Sequence, residues 1–257
     1  MEINKIIKMK NNKYKIYIDG ESIITYDNVI LENNLLYKKN IGIGLYNKIL
    51  SDTKYFDIYN KIVKFILKKR RSEKEINLYL IKNEVSDNDR NKIIVKLKEI
   101  NLINDIEYCK AYINDKIYLS KDGINKIKKD LLNQSISIDI IENEFRNVDI
   151  DVFDDRLKKL IVKKIKCNKK YSNNFLKQKI LNEMINLGYN KDNVLKIIND
   201  NIEFDNNILE RELNKIYNKL SKKYIGIELE NKLKQKLIQK GFKVEEINKL
   251  LQKKAEE

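Results

Sequence analysis

The chain has 257 residues, and its 42% apolar content is enough to build packed cores, which excludes a disordered polymer. Lys and Arg number 53 against 38 Asp and Glu, so the net charge of +15 favours polyanionic partners, nucleic acid first, and acidic protein surfaces. A solvated Lys-rich surface that reflects compositional bias is the alternative explanation of this charge.

Cysteine usage and hydropathy indicate the compartment. Only Cys109 and Cys167 are present, far apart, which is typical of a reducing environment and excludes a disulfide framework. We expect both to be small buried hydrophobes. No apolar run approaches the ~20 residues that span a bilayer, and the polar start lacks the hydrophobic segment of a signal peptide. These features predict a cytoplasmic protein that does not enter a membrane.

The first fifty residues have a strand-like pattern. Ile16 and Ile18 belong to a period-two alternation, and a turn signal follows at residues 19–20. We therefore predict a β-hairpin or small sheet within residues 1–50, closed by a glycine-containing turn at residues 41–44.

The rest of the chain has a helical pattern. From about Ser51, apolar residues recur three or four positions apart, which predicts helices to the end. Ser72 and Glu75 form a Ser-x-x-Glu capping box, in which each side chain satisfies a free backbone N–H at a helix start. This places Arg70 and Arg71 on the preceding turn.

An internal repeat of about fifty residues organises the helical part. Its anchor residues, separated by 51, 53 and 53 positions, are Leu80, Leu131, Met184 and Leu237. Gly188 and Gly241 follow the last two anchors and can end a helix in the left-handed conformation. The predicted three-helix units are residues 51–103, 104–150, 151–204 and 205–257. The predicted fold is mainly α: four tandem repeats in an elongated curved array after a β-containing head.

No group of residues suited to catalysis is visible. His is absent, and no Gly-x-x-x-x-Gly-Lys-Ser/Thr phosphate loop occurs. Asp87 with Asp89 and Asp154 with Asp155 fall where helices are expected to begin, and the helix dipole explains these pairs without a metal. Asp105 is expected to cap a helix. We therefore predict a binding protein rather than an enzyme, with no cofactor and no metal site.

Several runs resemble the RecX regulatory family. Residues 69–76 read Lys-Arg-Arg-Ser-Glu-Lys-Glu-Ile, which is similar to the family's Arg-Pro-Arg-Ser-x-x-Glu-Leu signature. Residues 97–105 resemble its Leu-x-x-x-Gly-Leu-Leu-Asp-Asp run. The departures fall mostly at turn positions: Arg70 stands for Pro, and Glu84 and Asn101 stand for Gly. The resemblance covers almost the whole chain, and the three-helix repeat supports the same family.

The resemblance implies a protein that docks in the groove of the RecA–single-stranded DNA filament and inhibits ATP hydrolysis and strand exchange, thereby modulating DNA repair and the SOS response. The implied partners are the RecA filament and single-stranded DNA, contacted directly or through RecA, and the chain is expected to act as a monomer. An elongated basic array can follow a groove, and several weak contacts on one chain reinforce one another.

Basic residues at turns and helix ends are the candidate contacts with RecA or DNA. They are Lys68, Lys69, Arg70, Arg71, Lys121, Lys128, Lys129, Lys169, Lys170, Tyr171, Lys222, Lys223 and Tyr224. Two Lys-Lys-Tyr runs, at 169–171 and 222–224, occupy matching places in two units and join positive charge to a ring that could stack on an unpaired base. The alternative is that each Tyr packs into its own unit.

Two other classes of function fit the same features. A direct DNA-binding protein would offer a helix of a three-helix unit to a groove and would bind without RecA. A structural adaptor would bind an acidic protein and no nucleic acid. An enzyme is the last choice, because no residues are in place to carry its chemistry.

Overall fold

A computed structural model describes residues 1–201 and 207–256 of the protein. These residues form thirteen α-helices after a three-stranded sheet, which confirms the predicted mainly helical fold with a small β-containing head. The chain divides into two compact units, Met1–Tyr108 and Cys109–Glu257.

The sheet has the antiparallel order β1 (Ile3–Lys8), β2 (Lys13–Ile18), β3 (Glu21–Tyr26). Asp19 and Gly20, with φ of 48° and 87°, connect β2 to β3, and positive φ at both positions is what a tight two-residue hairpin turn requires. The buried Ile16 and Ile18 alternate with more exposed neighbours, as the period of two predicts.

The first long helix begins earlier than the sequence pattern indicated. Helix α1 (Asp27–Glu32) follows the sheet, and α2 (Ile43–Lys68) then starts directly after Gly42, which is its N-cap. The predicted turn at residues 41–44 and the predicted helix start near Ser51 are therefore wrong. The reason is that the first turns of α2 pack on the head, where Ile49 is buried with residues of the sheet.

The remaining helices follow one another through short connections. They are α3 (Glu73–Lys82), α4 (Asp87–Glu99), α5 (Asp105–Leu119), α6 (Ile124–Asn133), α7 (Ile138–Arg146), α8 (Asp151–Lys166), α9 (Asn173–Asn186), α10 (Lys191–Asn201), α11 (Ile208–Leu220), α12 (Gly226–Ile238) and α13 (Val244–Glu256). The end of α2 packs with α3 and α4 around Ile62, Ile76 and Leu97, and α11, α12 and α13 enclose a second core around Leu213, Leu233 and Ile247. The predicted boundary between residues 204 and 205 lies outside the described residues.

Two helix starts test the expected caps. At α3 the predicted capping box is present: Ser72 Oγ accepts from Glu75 N at 3.2 Å, and Ser72 N donates to Glu75 Oε2 at 3.1 Å. At α5 the expected cap Asp105 is wrong, because Asn104 Oδ1 accepts from the backbone N–H groups of Ile106 and Glu107 instead. A cap lies one residue before the first helical residue, and α5 begins at Asp105 itself.

The four anchor residues of the sequence repeat make the same hydrogen bond. The carbonyl groups of Leu80, Leu131, Met184 and Leu237 accept the N–H of the residue five positions later, at 3.0 to 3.3 Å. Between the two partners, a residue with positive φ ends the helix in each case: Glu84, Ser135, Gly188 and Gly241. This is the helix end expected for Gly188 and Gly241. The helices that end before Glu84 and Ser135 have the same kind of end without a glycine.

Inside the second unit, the start of one helix covers the end of a later one. Gly123 N, before α6, donates to Leu187 O at 2.6 Å, and a Cβ on Gly123 would lie 2.6 Å from Gly188 O. A Cβ on Gly188 would collide with Lys126. Glycine is therefore required here for close backbone approach as well as for its positive φ.

The same contact recurs between α9 and α12. Ser172 N donates to Lys240 O at 3.1 Å, and Ser172 Oγ donates to Gly241 O at 2.6 Å. A Cβ on Gly241 would collide with Phe175, in the first turn of α9. We call these two contacts the helix-end junctions.

Candidate nucleic-acid interface

The predicted basic cluster at residues 68–71 contains two kinds of residue. Lys68 and Lys69 are exposed, and Arg70 forms only an exposed ion pair with Glu107 at 3.4 Å. Arg71, however, is half-buried: its guanidinium lies 4.2 Å from the centre of the Phe65 ring and pairs with Glu75 at 3.0 Å. Arg71 therefore holds the α2–α3 connection together, and the other three side chains are available to a partner.

The candidates around α6 also differ. Lys128 Nζ lies 2.6 Å from Glu142 Oε1 and 5.2 Å from the centre of the Phe145 ring, so it fastens α6 to α7. Lys121 and Lys129 have exposed side chains. The backbone carbonyl of Lys121 accepts from the hydroxyl of Tyr189 at 3.1 Å, and burial raises the pKa of that hydroxyl.

Lys169, Lys170 and Tyr171 lie on the turn between α8 and α9. Asn168 shapes this turn, because its Oδ1 accepts from Tyr171 N at 3.1 Å and its Nδ2 donates to Tyr171 O at 2.8 Å. Both lysines are exposed, whereas the Tyr171 ring stacks on Phe175 with centroids 5.1 Å apart. The tyrosine thus packs within its own unit.

Lys222, Lys223 and Tyr224 lie on the matching turn between α11 and α12. The two lysines are exposed, and Tyr224 is partly buried against the core of α11, α12 and α13. Both rings therefore contact residues nearby in their own unit, as the alternative interpretation expects, and their role in binding stays a prediction.

Besides Lys169 and Lys170, which the sequence had already indicated, the structure reveals five exposed lysines that the sequence interpretation missed. Residues 156–182 contain ten Lys or Arg and no Asp or Glu, although acidic residues make up 38 of the 257 in the chain. Seven exposed lysines of this stretch form what we call the α8–α9 basic surface. They are Lys158, Lys159, Lys163, Lys166, Lys169, Lys170 and Lys179. The acid-free stretch is the sequence signal that could have identified them.

The charge of the α8–α9 basic surface is not neutralised locally. Among the residues that the structure describes, none of its seven lysines forms an ion pair, whereas the neighbouring Lys164 pairs with Glu183 at 2.7 Å. Lys179 Nζ lies 4.5 Å from the centre of the Tyr171 ring. Free ammonium groups at this density attract phosphate groups, because each contact releases a counterion from a nucleic acid.

Two shallow hollows lie on the α8–α9 basic surface. One, of about 360 Å³, lies between α8 and α9 and is bordered by Lys169 and Lys179; the other, of about 620 Å³, runs along α8 beside Lys159 and Lys163. Cys167 borders both and is exposed, so the prediction of a buried hydrophobe holds for Cys109 and is wrong for Cys167. The cause is its position, since Cys167 is the C-cap of α8 rather than part of its buried face.

Metal sites and membrane-spanning helices were searched for within the residues that the structure describes. Residues 1–201 and 207–256 contain no group of three His, Cys, Asp or Glu side chains that could hold a metal ion. Within the same ranges, no helix is both long enough and apolar enough to cross a bilayer.

Comparison with known proteins identifies relatives along most of the chain. No protein-family profile matches it. The chain is 29% identical to the regulatory protein RecX of Listeria innocua over 198 residues, which are 75% of this chain and 72% of the relative. It is 26% identical to the regulatory protein RecX of Streptococcus gordonii over 242 residues, 91% of this chain and 92% of the relative. The chain is a relative of the RecX proteins. The predicted resemblance to the RecX family is thus confirmed.

Solved RecX structures share the fold. A crystal structure of regulatory protein RecX superposes with a TM-score of 0.68 at 21% identity, over 77% of this chain and 98% of that one. RecX from Lactobacillus salivarius superposes with a TM-score of 0.51 at 23% identity, over 57% of this chain and 95% of that one. RecX proteins are named as regulators and not as enzymes, in agreement with the predicted regulatory, non-enzymatic role.

Proposed function

We propose that the chain binds the RecA–single-stranded DNA filament and inhibits its ATP hydrolysis and strand exchange, with the α8–α9 basic surface as its contact to DNA phosphates. The observation that carries this proposal is the set of seven exposed lysines, none of which forms an ion pair within residues 1–201 and 207–256. A surface of this kind binds the backbone of nucleic acid without reading its sequence, which suits a filament that forms on any DNA.

The other exposed basic candidates extend this proposal. Weaker additional contacts are proposed at Lys68, Lys69 and Arg70 in the first unit and at Lys121, Lys129, Lys222 and Lys223 in the second. Contacts on one chain strengthen one another through their high effective concentration. Arg71 and Lys128 are left out, because each is engaged within its own unit.

The repeat organisation and cellular setting belong to the same proposal. We take residues 51–103, 104–150, 151–204 and 205–257 as four three-helix repeats, supported by the common hydrogen bond of the four anchor residues. We further propose that the chain acts on RecA as a monomer, in the cytoplasm.

The direct test is to titrate the chain into RecA hydrolysing ATP on single-stranded DNA at fixed moderate salt. We expect inhibition at less than one molecule per RecA subunit. The paired charge reversal Lys163→Glu and Lys166→Glu should raise the concentration for half inhibition by about tenfold or more, since two phosphate contacts become repulsive. Absence of inhibition by an excess of the folded chain would refute the proposal.

A matched control is available on α2. Lys61 and Lys64 have the same three-residue spacing and are also exposed on a helix, but they lie far along the chain from the acid-free stretch. The reversal Lys61→Glu and Lys64→Glu changes net charge equally and should leave inhibition nearly unchanged. Equal effects of the two variants would show that only total charge matters.

The second candidate is a DNA-binding protein that acts without RecA, and the same lysines favour it. Binding of single-stranded DNA and of duplex DNA by the chain alone, measured by fluorescence anisotropy, separates the two. Tight sequence-selective binding to duplex DNA together with no effect on RecA would favour this candidate.

A further inference from the structure

The N-terminal head contains two lysine runs without acidic residues that the proposed function does not use. Residues 3–18 contain five lysines, residues 33–51 contain three, and neither run contains Asp or Glu. Hydrogen bonds join the two runs: Ile3 N donates to Lys39 O at 2.8 Å, and Glu2 and Asn40 form an antiparallel bridge. The fold therefore brings two basic runs together along the outer edge of β1.

One face of the sheet is exposed and places lysine beside tyrosine. Ile16 and Ile18 are buried in the core, and side chains along a strand alternate between the two faces. Lys15 and Tyr17 therefore lie on the opposite face, where the Lys15 Nζ is 5.0 Å from the centre of the Tyr17 ring. Lys5 lies directly across from Tyr17 on β1 and shares this face.

Tyr37 adds a fully accessible aromatic ring to the edge of β1. Its side chain is 89% exposed, and within residues 1–201 and 207–256 the ring stacks on no other ring and the hydroxyl forms no hydrogen bond. Tyr37 and Lys38 directly precede Lys39, and consecutive Cα atoms are about 3.8 Å apart, so both lie close to β1. Packing within the protein does not account for a tyrosine at this position.

The side chains of this region form what we call the head basic surface. Its members are Lys5, Lys15, Tyr17, Tyr37, Lys38 and Lys39. In the described part of the chain, none of its four lysines forms an ion pair. The acidic Glu2, Asp19 and Glu21 gather at one end of the sheet, since Glu2 N donates to Asp19 Oδ1 at 2.7 Å, and the chain before Lys39 runs away from that end.

We propose that the head basic surface binds single-stranded DNA, with bases stacked on Tyr37 and Tyr17 and phosphates held by the lysines. Exposed rings between free ammonium groups suit an unpaired strand, because the bases of a duplex are already stacked on one another. The α8–α9 basic surface differs, because its tyrosine already stacks on Phe175. That the strand is DNA rather than RNA rests on the proposed function; the stacking site itself does not.

A membrane surface is a poorer occupant. The exposed residues beside the lysines include Asn4 and Asn40, whose amides would lose hydrogen bonds to water at the boundary of the acyl chains. The same amides can donate to and accept from the edges of unpaired bases. The neighbouring side chains thus favour nucleic acid over lipid.

The first experiment uses a fluorescent reporter at position 37. The chain contains no Trp, so the full-length variant Tyr37→Trp has a single one, at a site too exposed to disturb packing. Titration with oligothymidylate of about twelve nucleotides should remove about half of its emission or more, because a base stacks on the indole. An abasic strand of equal length offers the same phosphates without bases and should leave the emission nearly unchanged.

The matched control is the variant Tyr118→Trp, because Tyr118 is 81% exposed at the end of α5, in the second unit. Both reporters are placed in the variant Lys163→Glu with Lys166→Glu, which weakens binding to the α8–α9 basic surface. No quenching at position 37, equal quenching at both positions, or equal quenching by the abasic strand overturns the stacking site. A blue shift with anionic lipid vesicles and no quenching by DNA overturns it in favour of a membrane surface.

The second experiment measures affinity in the same Lys163→Glu with Lys166→Glu background. By fluorescence anisotropy with labelled oligothymidylate, Tyr37→Ala should weaken binding by about fivefold or more, the loss expected for one stacked base. Tyr118→Ala should leave the affinity unchanged. An unchanged affinity of Tyr37→Ala, or equal losses in the two variants, overturns the proposal.

These measurements contain no RecA, so the two proposals can fail separately. If the wild-type chain does not inhibit RecA but the reporter at position 37 is quenched, the proposed function fails and the head basic surface stands. If inhibition is normal and the reporter is not quenched, the head basic surface fails alone. Stronger quenching by oligouridylate than by oligothymidylate overturns the assignment to DNA.

Discussion

At the scale of single residues, the ends of helices determine how the second unit is assembled. Glycine is favoured at position 188 for two reasons. Its φ of 86° disfavours a side chain, and Lys126 occupies the space that a Cβ would take. Glu84 and Ser135 hold similar positive φ values of 56° and 64°. A positive φ of that size is thus tolerated without glycine in this chain, whereas at Gly188 the larger φ is combined with a collision that no side chain avoids.

The variant Gly188→Ala tests this argument against Gly20→Ala. Gly20 has almost the same φ, 87°, but nothing lies within 4 Å of its missing Cβ. We expect Gly20→Ala to lower the free energy of unfolding by about 1 kcal/mol and Gly188→Ala by about 3 kcal/mol, since only the second adds a collision. Urea denaturation measures both, and equal losses would contradict the role of the close approach.

Asp122, the residue before Gly123, makes a pH-dependent contribution to the stability of the folded chain. Burial raises the pKa of its carboxyl, but hydrogen bonds from Lys116 and Lys126, at 2.6 and 2.7 Å, outweigh burial and hold the pKa below its ordinary 3.8. Because the folded pKa is the lower one, the ionised carboxylate stabilises the fold above pH 3.8, and this stabilisation is lost as the pH falls through the folded value.

The variant Asp122→Asn should therefore melt below the wild type at about pH 6, and the difference in Tm should shrink towards about pH 2.5. Thermal unfolding followed by circular dichroism measures both proteins across this range. A difference in Tm that does not change with pH would show that the ion pairs of Asp122 contribute nothing.

At the scale of elements, α8 serves packing and charge on opposite faces. Phe153, Leu157 and Ile161 are buried, and the exposed lysines lie between them on the other side. Acidic residues begin the helix and lysines end it, an order that the helix dipole favours. The α8–α9 basic surface is therefore held on a helix whose position is fixed by its core contacts.

The start of α9 combines two functions in one hydroxyl. Ser172 Oγ accepts from Phe175 N at 3.3 Å as a helix cap and donates to Gly241 O at 2.6 Å across the junction. Ser86 Oγ caps α4 by accepting from Asp89 N at 3.2 Å, and it donates to Asp89 Oδ2 at 2.8 Å, a bond within the exposed first turn of its own helix. We expect Ser172→Ala to cost about 2 kcal/mol of unfolding free energy and Ser86→Ala about 1 kcal/mol. Equal costs in urea denaturation would argue against the junction bond.

At the scale of the whole molecule, a large share of the positive charge is concentrated in one segment. The net charge is +15, and residues 156–182 alone carry ten basic and no acidic residues. Spread evenly, the same charge would give only weak attraction to any polyanion. Concentrated on the α8–α9 basic surface, it gives one region at which several phosphates can be bound together.

Salt dependence measures how many phosphates this region binds. For binding of single-stranded DNA, the magnitude of the slope of log affinity against log salt should be smaller by about 1.4 in the variant Lys163→Gln with Lys166→Gln than in the wild type, because each lost phosphate contact on a single strand removes about 0.7. The variant Lys61→Gln with Lys64→Gln on α2 serves as the control and should keep the wild-type slope. Equal slopes in all three proteins would place the phosphate contacts elsewhere.

The sequence by itself determined the local structure and the resemblance to RecX proteins. Patterns that depend on neighbours along the chain, such as the period-two strand around Ile16, the capping box at Ser72 and the helix ends at Gly188 and Gly241, were interpreted correctly, because residues close together in the chain set them. The resemblance to RecX was also visible, since its signature lies in consecutive residues. The acid-free stretch was equally local, but only its turn residues Lys169 and Lys170 were predicted as contacts.

Only the tertiary structure decided which basic residues are available and which glycines are indispensable. Arg71 and Lys128 differ from Arg70 and Lys129 only in what lies opposite them, and no spacing along the chain encodes those neighbours. The early start of α2 likewise depended on its contact with the head. Packing between segments that are distant in sequence fixes burial and ion pairing, and these two quantities separate a structural lysine or arginine from one that can bind a partner.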